Sequence, residues 1–147
     1  MKISTKIRYG ARAMVALAFH YGKGPIELRE VAKQENISLK YLEQVIIPLR
    51  TGGLVKSIRG SKGGYSLAKP PSQICLNDLI EILEGPLNLV DCLRDSKSCQ
   101  RASFCATRDV WKEVSEALEK IFLSTTLEDM VNRSMEKEGA PLPMYQI

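Results

Sequence analysis

Three cysteines lie close together in the second half of the chain, with the spacing Cys92-x6-Cys99-x5-Cys105. Thiolates are soft ligands that suit iron–sulfur clusters, zinc or Cu(I). Structural zinc sites usually separate paired cysteines by about two to four residues, so the wide spacing here argues against zinc. Iron–sulfur sites tolerate wider spacing in flexible loops. The residues alone leave four interpretations open, which are an iron–sulfur cluster, a zinc site, a thiol redox switch, or packing.

The fourth cysteine, Cys75, stands apart between Ile74 and Leu76, and we expect it to be a small buried hydrophobe. The first residues contain no hydrophobic signal region, and the longest apolar run, residues 13–19, is seven residues long. A membrane-spanning helix needs about 20. We therefore expect a cytoplasmic protein with no membrane contact, whose thiols stay reduced and favour metal over disulfides.

Charge is distributed unevenly along the 147 residues. Residues 1–70 carry 13 Lys and Arg against 4 Asp and Glu, a net charge of +9, while residues 71–147 carry 8 against 13, a net charge of −5. The basic half predicts a head that binds a polyanion, and the acidic half predicts a body with another task. Lys69-Pro70-Pro71-Ser72 marks the expected boundary between residues 1–70 and 71–147.

Apolar residues at three- and four-residue steps predict helices at residues 4–21, 27–35 and 39–51. Asn36 is a suitable left-handed C-cap for the second helix, and Ser38 is a suitable N-cap for the third. This short connection is typical of a helix-turn-helix, although ordinary helical hairpins share it. Pro48 is expected to kink or weaken the last turns of the third helix. The exposed face of that helix is suited to reading base edges and phosphates, and it comprises Ser38, Lys40, Tyr41, Glu43, Gln44 and Arg50.

A basic hairpin follows, with predicted strands at residues 54–59 and 65–67 around a glycine-rich turn. Arg59 and Lys62 at its tip suit a phosphate or a narrow minor groove. A nucleotide-binding loop is the alternative for these glycines, but no Gly-Lys-Ser/Thr ends the turn. The predicted fold is therefore mainly α with a small β-hairpin wing, a winged helix-turn-helix head joined to a long C-terminal helix.

The acidic half contains a predicted helix at 76–84, an irregular stretch at 87–104, a long helix at 107–124 and a capped helical turn at 126–131. We expect the tail from Glu138 to be frayed. An irregular stretch of this length inside a compact chain usually has a functional reason, and this one holds two of the three clustered cysteines. The long helix has an apolar face too wide for the head to cover, which predicts a homodimer. That face comprises Val110, Trp111, Val114, Ala117, Leu118, Ile121 and Phe122.

Nearly the whole chain resembles the IscR/NsrR/CymR-type winged-helix transcription regulators. The resemblance rests on residues 1–6, 37–44, 54–65 and 83–86, on the cysteine trio and on Thr126-Leu127. It implies a homodimer, a dimerisation helix at 107–124 and an iron–sulfur cluster in the loop 87–106, with [2Fe–2S] favoured over [4Fe–4S]. It also implies that the third helix and the wing bind a double-stranded DNA operator. The residues on family DNA-contact positions are Lys40, Tyr41, Glu43, Gln44 and Arg59. The IscR branch is expected to be nearest and the CymR branch least similar.

The resemblance leaves the fourth cluster ligand open. The IscR branch uses a Cys-x-x-His arrangement, but Arg108 occupies that position here and is a very poor ligand. The NsrR branch takes a carboxylate near position 8 of the partner, where this chain has Arg8. The candidates are Asp91, Asp109, the single histidine His20, a residue of the partner, or an exogenous thiol.

These patterns predict a dimeric DNA-binding regulator that senses iron–sulfur or redox status through a bound cluster. A regulator that uses zinc or a thiol switch at the cysteines is the alternative. An iron–sulfur or thiol oxidoreductase is disfavoured, because the chain has no Cys-x-x-Cys, no nucleotide-binding fingerprint and one histidine. Target genes, operator sequence, the direction of regulation and the DNA-binding form of the protein stay open.

Overall fold

The structure is a computed structural model that describes residues 2–139. Within that range it contains a mainly α fold with a two-stranded antiparallel hairpin, which confirms the predicted fold class. The elements are α1 (Thr5–Phe19), α2 (Leu28–Glu35), α3 (Leu39–Thr51), β1 (Val55–Ile58), β2 (Gly64–Leu67), α4 (Leu76–Glu84), α5 (Asp91–Arg94), α6 (Ala106–Ser124) and α7 (Leu127–Glu138). None of these helices has the length and apolar character needed to cross a membrane.

Local capping starts and stops the helices of the head. The Ser4 hydroxyl accepts from the Ile7 N–H at 3.1 Å, and the Ser38 hydroxyl accepts from the Tyr41 N–H at 3.1 Å. Asn36 ends α2 in the left-handed conformation, with φ of 52°. The two serine hydroxyls satisfy N–H groups at the starts of α1 and α3, and the Asn36 N–H donates to carbonyls at the end of α2. The helix-turn-helix connection is therefore encoded locally.

The third helix does not stop at Pro48 but continues to Thr51, and the N–H of Gly52 donates to the Pro48 carbonyl at 2.8 Å. The helix therefore does not end at the proline, and the expected kink or weakening of its last turns stays a prediction. Burial of Leu49, one residue beyond the proline, supplies the tertiary packing that keeps this turn helical.

The hairpin is anchored to the chain segment that precedes α2. Its register pairs Val55 with Leu67 and Ile58 with Gly64. Tyr65 pairs in addition with Ile26, since each backbone N–H donates to the other's carbonyl, at 3.0 and 2.8 Å. A Cβ on Gly64 would lie 2.3 Å from the Ile26 carbonyl oxygen, so only glycine allows this close approach. The wing is thus a fixed extension of the head.

A single hydrophobic core joins the head to two helices of the second half. Met14 and Leu17 of α1 and Leu42 of α3 are buried in the same cluster as Leu79 of α4 and Leu127 of α7. Helix α6 contributes no buried residue. The division at residue 70 remains a prediction about tasks, because the core itself crosses it.

Two features of the second half differ from the sequence-based expectations. The predicted turn at 126–131 is the first part of a 12-residue helix, α7, whose Met130 and Val131 pack against the core. Cys75 is only partly buried and occupies the N-cap position of α4, so its assignment as a buried hydrophobe is wrong. The tail beyond Gly139 lies outside the described residues.

Candidate functional site

The third helix divides cleanly into a core face and an outward face. Leu42, Val45, Ile46 and Leu49 are buried, whereas the predicted reading residues Lys40, Glu43, Gln44 and Arg50 are exposed. Ser38 is exposed too, but its hydroxyl already caps the helix. An α-helix that packs one face and leaves the other free has the geometry needed to enter a major groove.

Tyr41 is held in place more firmly than the other reading residues. Its ring meets the Tyr9 ring edge-on, with centroids 5.7 Å apart and an interplanar angle of 86°. Arg8 and Arg12 lie over the Tyr9 ring at 5.8 and 5.6 Å, and Arg12 also pairs with Glu35 at 3.1 Å. Sequence reasoning missed this cluster, although Tyr9 and Arg12 are three residues apart on one helix, a spacing that brings side chains together.

The tip of the wing presents two cations to solvent. Arg59 and Lys62 are exposed, and within residues 2–139 neither forms an ion pair or a side-chain hydrogen bond. The turn between them is closed by the Gly63 N–H, which donates to the Gly60 carbonyl at 3.0 Å, and Gly60 has a φ of +115°. Unpaired guanidinium and ammonium groups on a rigid hairpin suit phosphate contact.

The three clustered cysteines lie on one exposed stretch, residues 91–105, which we call the cysteine segment. Cys92 belongs to the single-turn helix α5, Cys99 follows a 3₁₀ turn, and Cys105 immediately precedes α6. All three thiols are free. Three soft donors on one short segment fit an iron–sulfur cluster chemically. In the described part of the chain, however, no three Cys, His, Asp or Glu side chains are arranged to hold one metal ion, so the segment is not a preformed site.

The Cys105 sulfur sits in an environment that favours its thiolate form. The Thr107 hydroxyl lies 3.2 Å from this sulfur. That hydroxyl, followed by the backbone N–H of Arg108, lowers the pKa of the Cys105 thiol. By contrast, burial raises the pKa of the Cys75 thiol. Thiolates bind metals and attack electrophiles, so Cys105 is the better prepared of these two sulfurs.

Arg108 points its side chain into the cysteine segment. Its Nε and Nη2 atoms both donate to the Cys92 carbonyl oxygen, at 3.3 and 3.2 Å. Together with Cys99 it lines a cavity of about 270 Å³. An arginine in this role is a hydrogen-bond donor and no ligand.

The candidates for a fourth ligand lie in different places. Asp91 and Asp109 are exposed within and next to the cysteine segment. His20 follows the end of α1, where its Nδ1 lies 3.1 Å from the Ala16 carbonyl and its ring lines a groove between α1 and α7. Among the described residues, none of the cysteine segment lines this groove.

Helix α6 carries an apolar face that the rest of the described chain leaves open. Val110 is 51% exposed and Ile121 is 57% exposed, and Trp111 and Val114 lie between them in the sequence and are exposed too. Leu118 and Phe122 are half-buried and line a cavity of about 390 Å³ together with residues of α1 and α4. This distribution is typical of a helix that packs against another chain.

Comparison with known proteins places these features in context. Residues 3–133 match the Rrf2 family, described as iron-dependent transcriptional regulators. The CymR transcriptional regulator of Bacillus subtilis is 45% identical over 132 residues, covering 90% of this chain and 91% of that protein. The IscR regulator of Serratia proteamaculans is 35% identical over 132 residues, covering 90% and 80%.

Two solved structures share the fold. The structure of CymR, described as the global cysteine regulator of B. subtilis, has a TM-score of 0.78 at 44% identity and covers 90% of this chain and 98% of that one. The structure of T. potens IscR has a TM-score of 0.79 at 41% identity and covers 99% and 96%.

These comparisons correct the expected order of the branches. The CymR branch was expected to be least similar, yet the B. subtilis CymR shares more identity with this chain than the S. proteamaculans IscR does. The expected order rested mainly on the three clustered cysteines, whereas sequence identity is measured over all of the roughly 132 aligned residues. The matched proteins are helix-turn-helix regulators and not enzymes, so the oxidoreductase alternative falls away. The chain belongs to the Rrf2 family of transcriptional regulators.

Proposed function

We propose that this chain is a dimeric regulator that binds operator DNA through α3 and the wing, and that its cysteine segment binds an iron–sulfur cluster that reports iron–sulfur or redox status. One observation carries the proposal. A rigid basic head with unpaired groups at its reading helix and wing is combined with three free thiols on a segment outside the core.

The DNA-binding part follows from geometry and charge. The outward face of α3 offers Lys40, Glu43 and Gln44 to base edges, while Arg59 and Lys62 reach for phosphates or the minor groove. The net charge of +9 over residues 1–70 supplies the sequence-independent attraction. Tyr41, braced by Tyr9, keeps the start of the reading helix at a defined angle to α1.

A homodimer supplies two such heads. The open face of α6 would pack against the same face of a second copy, which is how a two-fold interface is built. Two heads must meet half-sites about one helical turn, roughly 34 Å, apart. A small change in how α6 is held therefore changes the spacing of the heads and the affinity for DNA.

A bound cluster would link the cysteine segment to the spacing between the two DNA-binding heads. Cys105 directly precedes α6, and Cys92 lies on α5, which packs against α6. Cys92, Cys99 and Cys105 would hold the iron, and the cluster would supply redox and oxygen sensitivity. Because the three sulfurs are not gathered in this structure, binding requires the cysteine segment to close. Because Cys105 directly precedes α6, closure of the segment would shift the first turn of that helix.

A thiol switch is the second candidate, and two observations favour it. The lowered pKa of Cys105 makes this thiol a better nucleophile at neutral pH. The chain is also 45% identical to CymR, and a solved CymR structure is described as that of a cysteine regulator. In this alternative, oxidation or modification of the cysteine thiols, and not a bound cluster, would be the signal that changes DNA binding.

Anaerobic purification with iron, sulfide and zinc analysis separates these possibilities. The proposal expects a brown protein that contains iron and acid-labile sulfide. Cys92→Ala, Cys99→Ala and Cys105→Ala should each abolish or badly weaken cluster binding, because each removes one thiolate. Cys75→Ala is the matched control and should keep the spectrum. A colourless parent with reversible thiol oxidation would favour the switch, and zinc alone would favour a zinc site.

A further inference from the structure

One residue, Arg108, contacts Cys92 and lines a cavity that Cys99 also lines. The Arg108 guanidinium donates twice to the Cys92 carbonyl, and its side chain borders the cavity that Cys99 lines. Arg108 also sits three residues after Cys105, within the first turn of α6.

The contact between Arg108 and Cys92 is the sole long-range hydrogen bond of the cysteine segment among residues 2–139. Every other hydrogen bond of residues 91–105, whether backbone or side chain, joins positions at most four residues apart. The Arg108 bonds span sixteen residues. Helix α5 has four residues, and a helix this short is unstable without tertiary support. Arg108 therefore supplies the polar tie that holds α5 to α6.

We propose that Arg108 is a positioning residue that fixes Cys92 against the first turn of α6 through this two-pronged hydrogen bond, and so sets the geometry from which the three cysteines close on a bound group. The second half of this statement rests on the proposed function, while the first half concerns the protein without any bound group. A guanidinium is suited to the task, because its planar donors can share one carbonyl and it stays protonated. A lysine at this position would keep the positive charge but lacks the two parallel N–H donors of a guanidinium.

Hydrogen exchange of the metal-free, reduced full-length protein tests the positioning. The amides of Leu93 and Asp95 are the probes, since their N–H groups donate to the carbonyls of Val90 and Asp91 and so close the single turn of α5. Arg108→Ala should make them exchange about tenfold faster, because a hydrogen bond to a charged group is removed. Arg108→Lys should have a smaller effect. Lys112→Gln is the matched control, because it removes a positive charge one turn along the same helix, where Lys112 pairs with Glu116.

The same variants reconstituted with iron and sulfide test the consequence. Arg108→Ala should lower the iron and sulfide content and shift the visible spectrum, Arg108→Lys should restore part of both, and Lys112→Gln should match the parent. Unchanged exchange at Leu93 and Asp95 in Arg108→Ala overturns the positioning role. If the exchange rises as expected but the parent binds no cluster, the positioning role stands and the proposed cluster function fails.

Discussion

Cys75 and Thr126 face each other in an isolated antiparallel bridge, and each of them is the N-cap of a helix. The Leu76 N–H donates to the Thr125 carbonyl at 2.8 Å, and the Leu127 N–H donates to the Ile74 carbonyl at 2.9 Å. Helices α4 and α7 thus begin side by side, although about 50 residues separate them in the sequence. The cysteine segment and α6 lie in the part of the chain between these two bridged residues.

The capping role of Cys75 predicts a stability effect without a spectroscopic one. In a capping box, the Cys75 side chain accepts from the backbone N–H of Asp78, an interaction that alanine cannot make, and the Cys75 backbone N–H donates to the Asp78 carboxylate at 2.8 Å. Cys75→Ala should lower the free energy of unfolding by about 1 kcal/mol, as is typical when a cap is removed, whereas Cys75→Ser should retain it. Denaturant unfolding measures this difference. A loss of visible absorbance in anaerobically purified Cys75→Ala would show instead that this thiol belongs to the site.

The cap of α7 predicts a pH dependence of stability. The backbone N–H and then the hydroxyl of Thr126 donate to Asp129, each at 2.9 Å, and lower the pKa of that carboxyl below its ordinary value of 3.8. Because the folded pKa is depressed, the stabilisation is fully present above 3.8 and is lost as pH falls through the folded pKa.

Melting temperatures of the parent and Asp129→Asn should therefore differ by a constant amount well above pH 3.8 and converge at lower pH. Glu136→Gln on the same helix is the control. A difference that persists unchanged below the folded pKa of Asp129 would contradict this account of the cap.

The wing predicts an electrostatic contribution to DNA binding. Arg59→Ala should weaken operator binding by roughly 1–3 kcal/mol if the side chain enters a groove. It should also reduce the dependence of log affinity on log salt by about 0.9 for each phosphate that the variant no longer neutralises. Fluorescence anisotropy at several salt concentrations measures both. Lys137→Ala, on α7, removes a charge elsewhere and should change neither; a flat salt response of the parent would refute DNA binding by the head.

From the position of Glu43 we expect an effect on which DNA sequences the protein prefers. It is exposed on the reading face of α3, where a carboxylate can accept from cytosine N4 but repels phosphates. Glu43→Ala should broaden the set of accepted sequences and raise general affinity for DNA. Selection from random duplexes with the parent, Glu43→Ala and the α6 control Glu119→Ala tests this. The same motif from all three proteins would exclude a reading role.

The open face of α6 predicts the oligomeric state. Val114→Asp combined with Ile121→Asp would bury unpaired charges at the seam between two copies and should convert a dimer to a monomer. Both residues are exposed in the single chain, so the fold of the monomer should survive. Lys112→Asp places the charge on another side of α6 and should leave the dimer intact. Light scattering at micromolar concentration distinguishes these results, and a monomeric parent would refute the interface.

Much of the head was predictable because its signals are local. Ser38 and Asn36 lie next to the turn they shape, and the apolar period of α3 falls on the residues that are buried. The hairpin was predicted near its observed bounds for the same reason, since a run of glycines marks its turn. The cysteine segment was recognisable as irregular because no period runs through it.

Other features depended on which distant residues came together. The predicted turn after Thr126 becomes the full helix α7 because Met130 and Val131 find a core to pack against. Cys75 has apolar neighbours in sequence, yet it becomes the N-cap of α4 and pairs with the distant Thr126.

The amino-acid sequence by itself determined the winged-helix head, the open apolar face of α6 and the three thiols that give the chain its chemistry. Only the tertiary structure decided that α4 and α7 share the core of the head, that Tyr9 braces Tyr41, and that Arg108 ties Cys92 to α6. Caps and periodicity act over three or four residues and can be read along the chain. A hydrogen bond across sixteen residues, or a bridge across about fifty, exists only after the chain has folded.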